Sequence, residues 1–167
     1  MKIQLSADWS EFLSLLIGEG ARFLLVGGHA VAAHGEPRLT EDLDVFVEAS
    51  AQNSARLRRA LVAFGFGEQA PTEEELAKPG NVWMLGRKPW RIDILNRIDG
   101  VSFAQAWKGR VEADFVTKPL YVIGHAELLA NKRASGRPKD LADVAALEGG
   151  AKPAKKKARA LARPRRS

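Results

Sequence analysis

The chain of 167 residues contains no cysteine, so disulfides and thiolate metal sites are excluded outright. It also lacks a long apolar run. The stretch from Phe12 to Ile17 is too short to span a bilayer and is interrupted by Ser14, and no charged leader with an apolar core precedes it. No signal peptide or membrane span is therefore expected, and the expected compartment is the cytoplasm. Acidic residues are missing from the C-terminal end. Residues 149 to 167 carry Lys152, Lys155, Lys156, Lys157, Arg159, Arg163, Arg165 and Arg166 with no carboxylate, so the formal charge of +6 divides into a tail of +8 and a body, residues 1 to 148, of −2. The tail opens on Gly149-Gly150, holds Pro153 and Pro164, and has no apolar periodicity. It is expected to be disordered, or at most transiently helical around Ala158 to Ala162. Either it is a solubilising segment or it tethers RNA through phosphate contacts. The body has the length of one domain with a real core.

Within the body, Phe23-Leu24-Leu25-Val26 reads as a buried strand that breaks at Gly27-Gly28. The missing Cβ atoms let the backbone approach a ligand closely. A short helix is expected over Ala30 to His34, its free N–H groups favouring an anion such as a triphosphate. A second strand, Asp42-Leu43-Asp44-Val45-Phe46-Val47, follows. Side chains alternate between faces, so Asp42 and Asp44 share one face while Leu43, Val45 and Val47 share the other. Two adjacent carboxylates resist ionising together unless a cation neutralises them. A hard cation that keeps waters and bridges phosphates is Mg²⁺.

These features together resemble the signature of the DNA polymerase β-like nucleotidyltransferase superfamily, which moves a nucleoside monophosphate from an NTP to an acceptor. The stretch Val26-Gly-Gly-His-Ala-Val-Ala-Ala-His-Gly-Glu-Pro-Arg38-Leu-Thr40-Glu-Asp42-Leu-Asp44 is closer to small stand-alone bacterial members related to abortive-infection toxins. A second block, from Leu128 through Asn131-Lys132-Arg133-Ala134-Ser135-Gly136-Arg137-Pro138-Lys139-Asp140 to Val144, resembles the C-terminal motif of that subgroup. The resemblance spans roughly residues 20 to 147 and rests on the joint occurrence of these motifs. It implies an α/β (α+β) nucleotidyltransferase fold, with a small mixed sheet flanked by helices and a short C-terminal helical pair. It also implies a catalytic and metal-binding triad of Asp42, Asp44 and Asp93 holding Mg²⁺ or Mn²⁺. The nucleotide, ATP or another NTP, would be held by Gly27, Gly28, Arg38, Thr40, Lys132 and Asp140.

The residues themselves leave alternatives open. Asp93 lies on Arg91-Ile92-Asp93-Ile94, facing away from the two isoleucines, and an ion pair with Arg91 or Arg97 would also explain it. Lys132 and Asp140 sit on consecutive helices, where a surface salt bridge worth little is the plain reading. Arg38 and Thr40 either bond phosphate or cap the approach to the acidic strand. His29 donates to phosphate or packs among Ala30, Val31 and Ala33. His34 and His125 have no spacing that suggests zinc. Trp9, Trp83, Trp90 and Trp107 show no stacking pattern and are expected in the core.

The remaining elements follow from periodicity and turn chemistry. Asp8 with Glu11 suggests a capping box for a first helix that buries Trp9, Phe12, Leu13, Leu16 and Ile17. A helix over Ser54 to Phe64 buries Leu57, Leu61 and Phe64. Pro71 to Gly80 is a polar excursion, and its Glu73, Glu74 and Glu75 form a solvated face. Asn81 to Leu85 and Trp90 to Leu95 form a hairpin. Tyr121 to Ile123 is a short strand, and helices over about 125 to 135 and 138 to 147 are separated by Gly136, with Pro138 in the second one's first turn. The expected activity is Mg²⁺-dependent transfer of a nucleoside monophosphate to a hydroxyl of tRNA, protein or a small molecule, in a toxin–antitoxin or defence setting with a protein partner. A catalytically silent nucleotide- or nucleic-acid-binding protein of the same fold is the alternative.

Overall fold

The structure is a computed structural model that describes residue 1, residues 3–116 and residues 118–149. The basic tail lies outside the described residues except for Gly149. Along the chain, α1 (Ala7–Gly18) precedes β1 (Phe23–Val26), α2 (Gly27–Ala33), β2 (Asp42–Val47), α3 (Ala51–Phe64) and α4 (Glu73–Ala77). The hairpin of β3 (Val82–Leu85) and β4 (Arg91–Leu95) follows, then α5 (Phe103–Lys108), β5 (Val111–Ala113), β6 (Leu120–Val122), α6 (His125–Ser135) and α7 (Pro138–Gly149). The six strands form one mixed sheet in the order β3-β4-β2-β1-β6-β5. It is the mixed α/β architecture that the sequence implies, with the nucleotidyltransferase motifs at its centre.

The alternation on β2 holds. Leu43, Val45 and Val47 are buried in the core with Leu24, Leu57, Ile92 and Ile94, while Asp42 and Asp44 are only partly covered. β2 runs parallel to β4 in a register that sets Asp42 beside Arg91 and Asp44 beside Asp93. It runs antiparallel to β1, which sets Val26 beside Asp44. The strand that ends in the glycines thus delivers them to the acidic strand. Phe12 of α1 meets Phe64 of α3 edge to face at 5.3 Å, joining these helices through the apolar faces that their periodicity sets out.

Four local expectations are corrected. The cap of α1 is Ser6, which accepts from Trp9 N, so the helix begins before Asp8 and the Asp8–Glu11 box does not form. A serine oxygen reaches the third amide on as readily as an aspartate does, and the earlier position brings Trp9 inside. α2 starts at the glycines rather than at Ala30, because Gly27 itself makes the turn out of the strand with φ +69°. The excursion over 71 to 80 contains α4, held by a reciprocal capping box between Thr72 and Glu75. Trp90 is 58% exposed and not in the core, although its carbonyl accepts from Trp9 Nε1. No helix among the described residues is long and apolar enough to cross a membrane.

Candidate active site

One cavity of about 700 Å³ is lined by all nine sequence-predicted residues: Gly27, Gly28, Arg38, Thr40, Asp42, Asp44, Asp93, Lys132 and Asp140. Its centre is acidic. Asp42, Asp44 and Asp93 each offer one oxygen, and these oxygens all lie within 4.8 Å of one another. The parallel pairing of β2 with β4 produces this convergence, since residues in register on neighbouring strands point to the same face. Burial pushes the Asp44 carboxyl up to about 7, and the charges of Asp42 and Asp93 push the same way, with Lys132 opposing them. A group so placed gives up its proton when a cation arrives. Three close carboxylates with one proton-holding member are the donor chemistry of a hard divalent cation, so the residues present fit Mg²⁺ or Mn²⁺.

Arg91 crosses this centre. Its Nη2 donates to Asp42 Oδ2 at 3.0 Å and to Asp93 Oδ2 at 3.0 Å, and its Nε donates to Asp93 Oδ1 at 2.8 Å. The ion pair that the sequence offers as an alternative role for Asp93 therefore exists, in the same place as the acidic cluster. Asp93 takes part in both.

The glycines pack against the acids. A Cβ on Gly27 would overlap the Asp44 carboxylate, and one on Gly28 would stand 3.1 Å from Thr40 Cβ. Gly27→Ala meets both this overlap and a positive φ that costs about 1 kcal/mol or more for an L residue. The expected outcome is a loss of about 2–4 kcal/mol of stability in urea unfolding, with metal binding lost even where the variant folds. Gly18→Ala is the control, since a Cβ there meets nothing within 4 Å. Thr40 donates to the Asp42 carbonyl at 2.8 Å and lies 3.2 Å from Asp42 Oδ1. It fixes the start of β2 while facing the cavity.

The far wall is a charge network on α6 and α7. Lys132 Nζ lies 3.1 Å from Asp140 Oδ1 and 3.0 Å from Asp143 Oδ2, with Lys132 only 6% and Asp140 only 2% exposed. The salt bridge that the sequence offers as one reading of Lys132 and Asp140 therefore exists, but buried and not at the surface. Burial alone would raise the Asp140 carboxyl, but hydrogen bonds from Ser135, Arg137 and Lys132 outweigh it and hold the group at about 2. Arg38 pairs with Asp143, so Asp143 links the Gly-Gly side of the cavity to Lys132. Sequence reasoning assigned no role to Asp143, Arg137 or Lys139. The cations of the run Arg137-Pro138-Lys139 were the available signal, and both line the cavity.

None of the histidines belongs to the acidic cluster. Burial lowers the pKa of His29, partly offset by Asp42; its ring meets Trp9 edge to face at 4.9 Å, and its buried Nε2 has no hydrogen-bond partner among the described residues. His34 Nε2 lies 2.8 Å from the Ile123 carbonyl, a structural tie between α2 and the end of β6.

No curated protein matches the chain. A family model described as "Nucleotidyl transferase AbiEii toxin, Type IV TA system" matches residues 12–125, which include the glycine pair and all three aspartates but stop short of Lys132 and Asp140. Residues 12–125 being most of its length, the chain belongs to the AbiEii nucleotidyl transferase toxin family.

Proposed function

We propose that the chain transfers a nucleoside monophosphate from an NTP to a hydroxyl acceptor and does so as the toxin of a type IV toxin–antitoxin pair in the cytoplasm. The observation that carries this is the cavity itself, with three convergent carboxylates facing a wall of Lys132, Arg137 and Lys139. Asp42, Asp44 and Asp93 would hold Mg²⁺ or Mn²⁺, which neutralises charge on the phosphates and polarises the attacking oxygen when bound. Asp93 accepts the proton of the acceptor hydroxyl. The oxygen forms a bond to the α-phosphorus, the bond from that phosphorus to the bridging oxygen breaks, and pyrophosphate leaves toward the cations. Lys132 binds the triphosphate and Asp140 positions it. Gly27 and Gly28 admit the phosphates close to the backbone. Residues 1–148 are the transferase domain, and the tail, residues 149–167, supplies RNA affinity.

One observation favours the silent alternative. The Arg91 guanidinium already satisfies Asp42 and Asp93, which a protein that merely binds nucleotide could keep without any metal. Incubating the purified chain with labelled NTPs, Mg²⁺ or Mn²⁺, and cellular RNA or lysate separates the readings. Label transferred to RNA, to protein or to a small molecule, and absent with Asp42→Asn, identifies a transferase and its acceptor. Protein that binds the NTP yet transfers no label is the silent form.

A further inference from the structure

β2 and β4 continue beyond the carboxylates, and the same sheet face carries a second cavity. On β2 the residue that alternates with Asp42 and Asp44 onto that face is Phe46, and on β4 the one that follows Asp93 is Leu95; Glu48 and Arg97 lie just past the strand ends. At about 3.3 Å per residue, Phe46 lies about 7 Å along the strand from Asp44. There a cavity of about 850 Å³ opens, with Phe46 at the sheet and Phe103 and Trp107 of α5 opposite. Phe103 stacks on Trp107 at 5.6 Å and 22°, and meets Phe46 edge to face at 5.2 Å. Arg97 and Ile98 line both cavities, so the two are neighbours across one turn of chain.

The lining is apolar and aromatic with a cationic mouth. Arg97 and Lys108 are exposed and have no ion-pair partner among the described residues. Glu48 is already neutralised by Arg22 at 2.8 Å, and Arg22 also lies 4.7 Å from the centre of the Trp107 ring. A polycationic drug would find no free acid here. A flat aromatic ring attached to a phosphate finds both its partners: π surface for the ring and two uncommitted cations for the charge. We propose that this cavity is a nucleotide-binding subsite, taking the base against Phe103 and the phosphate on Lys108 and Arg97. Its occupant is either a free nucleotide or a terminal nucleotide of a single strand, and the subsite serves as the acceptor side of the carboxylate cavity, a role that rests on the transferase reading.

Two substitutions on the exposed surface of α5 test it without touching the core. Ala104→Trp fills the cavity and Lys108→Glu reverses its mouth. The probes are AMP, and a fluorescent trinucleotide of RNA whose contacts with the basic tail are the same in every variant. Both are titrated onto the full chain in EDTA. Both variants are expected to weaken binding at least about fivefold, Ala104→Trp through the lost stack and Lys108→Glu through the lost phosphate contact. Weakening of the trinucleotide alone assigns the site to a strand end, and weakening of AMP as well assigns it to nucleotides generally. Binding equal to wild type in both variants, or no binding of either probe to wild type, overturns the proposal. The rise in melting temperature with Mg²⁺ and a non-hydrolysable NTP, read on the same proteins and on Asp42→Asn, reports the carboxylate cavity separately. If wild type shows no Asp42-dependent rise while Ala104→Trp still loses the trinucleotide, the transferase reading falls and the nucleotide subsite stands.

Discussion

Asp42→Asn combined with Asp44→Asn is expected to abolish the rise in melting temperature produced by Mg²⁺ with an NTP and to lower nucleotide transfer at least about a thousandfold. The magnitude follows from the role assigned to the metal. A bound cation contributes several kcal/mol of charge stabilisation, and about 1.4 kcal/mol corresponds to each factor of ten in rate. A ligand that binds only the folded state also stabilises it by mass action, so losing the site loses the shift. A double variant stabilised as much as wild type by Mg²⁺ and NTP would show that the metal is held elsewhere.

Asp44 adds a pH signature. Its carboxyl is raised from 3.8 to about 7 in the folded chain, chiefly by burial and then by Asp42 and Asp93. Between these values the folded state holds a proton that the unfolded state has released, so stability falls as pH rises from about 4 to about 7 and is level above. Asp44→Asn leaves the contacts of Arg91 with Asp42 and Asp93 in place and removes this slope, which makes the metal-free variant more stable than wild type near neutral pH. Mg²⁺ competes with the same proton. Its stabilising effect on wild type should therefore grow as pH rises toward 7, and urea unfolding across pH with and without Mg²⁺ measures both effects.

The acidic centre was legible because strand alternation is a rule of backbone geometry. Asp42 and Asp44 had to share a face, and the β2 boundaries read from the sequence are those of the fold. Gly136 and Pro138 likewise marked the break between α6 and α7, since a left-handed C-cap and a first-turn proline are local chemistry. What stayed hidden was decided by distant contacts. α5 has six residues and β5 three, too few for a period to emerge, and so the wall of Phe103 and Trp107 was not separated from ordinary core aromatics. The burial of Lys132 depends on Asp143, which sits on the next helix, and on Arg38, which reaches Asp143 from a loop about a hundred residues earlier. Helix spacing could place Lys132 near Asp140 but could not show that solvent is excluded from them. That exclusion changes what removing the lysine should do.

Lys132→Ala leaves Asp140 and Asp143 buried without their shared cation, and breaking such a pair costs about 3–5 kcal/mol, against at most about 1 kcal/mol for an exposed bridge. Urea unfolding of the variant distinguishes these directly. Its activity is harder to interpret, because partial unfolding would imitate the loss of a triphosphate contact. The double variant Lys132→Met with Asp140→Asn removes opposite charges together and substitutes a side chain of similar length, and such pairwise neutralisation of a buried bridge is often close to neutral for stability. Asp143 keeps its ion pair with Arg38, and Arg137, the other cation on Asp140, is 77% exposed and stays solvated. On this refolded background, a lysine that contacts the triphosphate leaves a deficit of about 1.5–3 kcal/mol, or about ten- to a hundredfold in kcat/KM for the NTP. Kinetics within about twofold of wild type, on a variant with wild-type unfolding behaviour, would reduce Lys132 to a fastener between α6 and α7. A persistent deficit would place its ammonium on the phosphates, with Asp140 as the group that aims it.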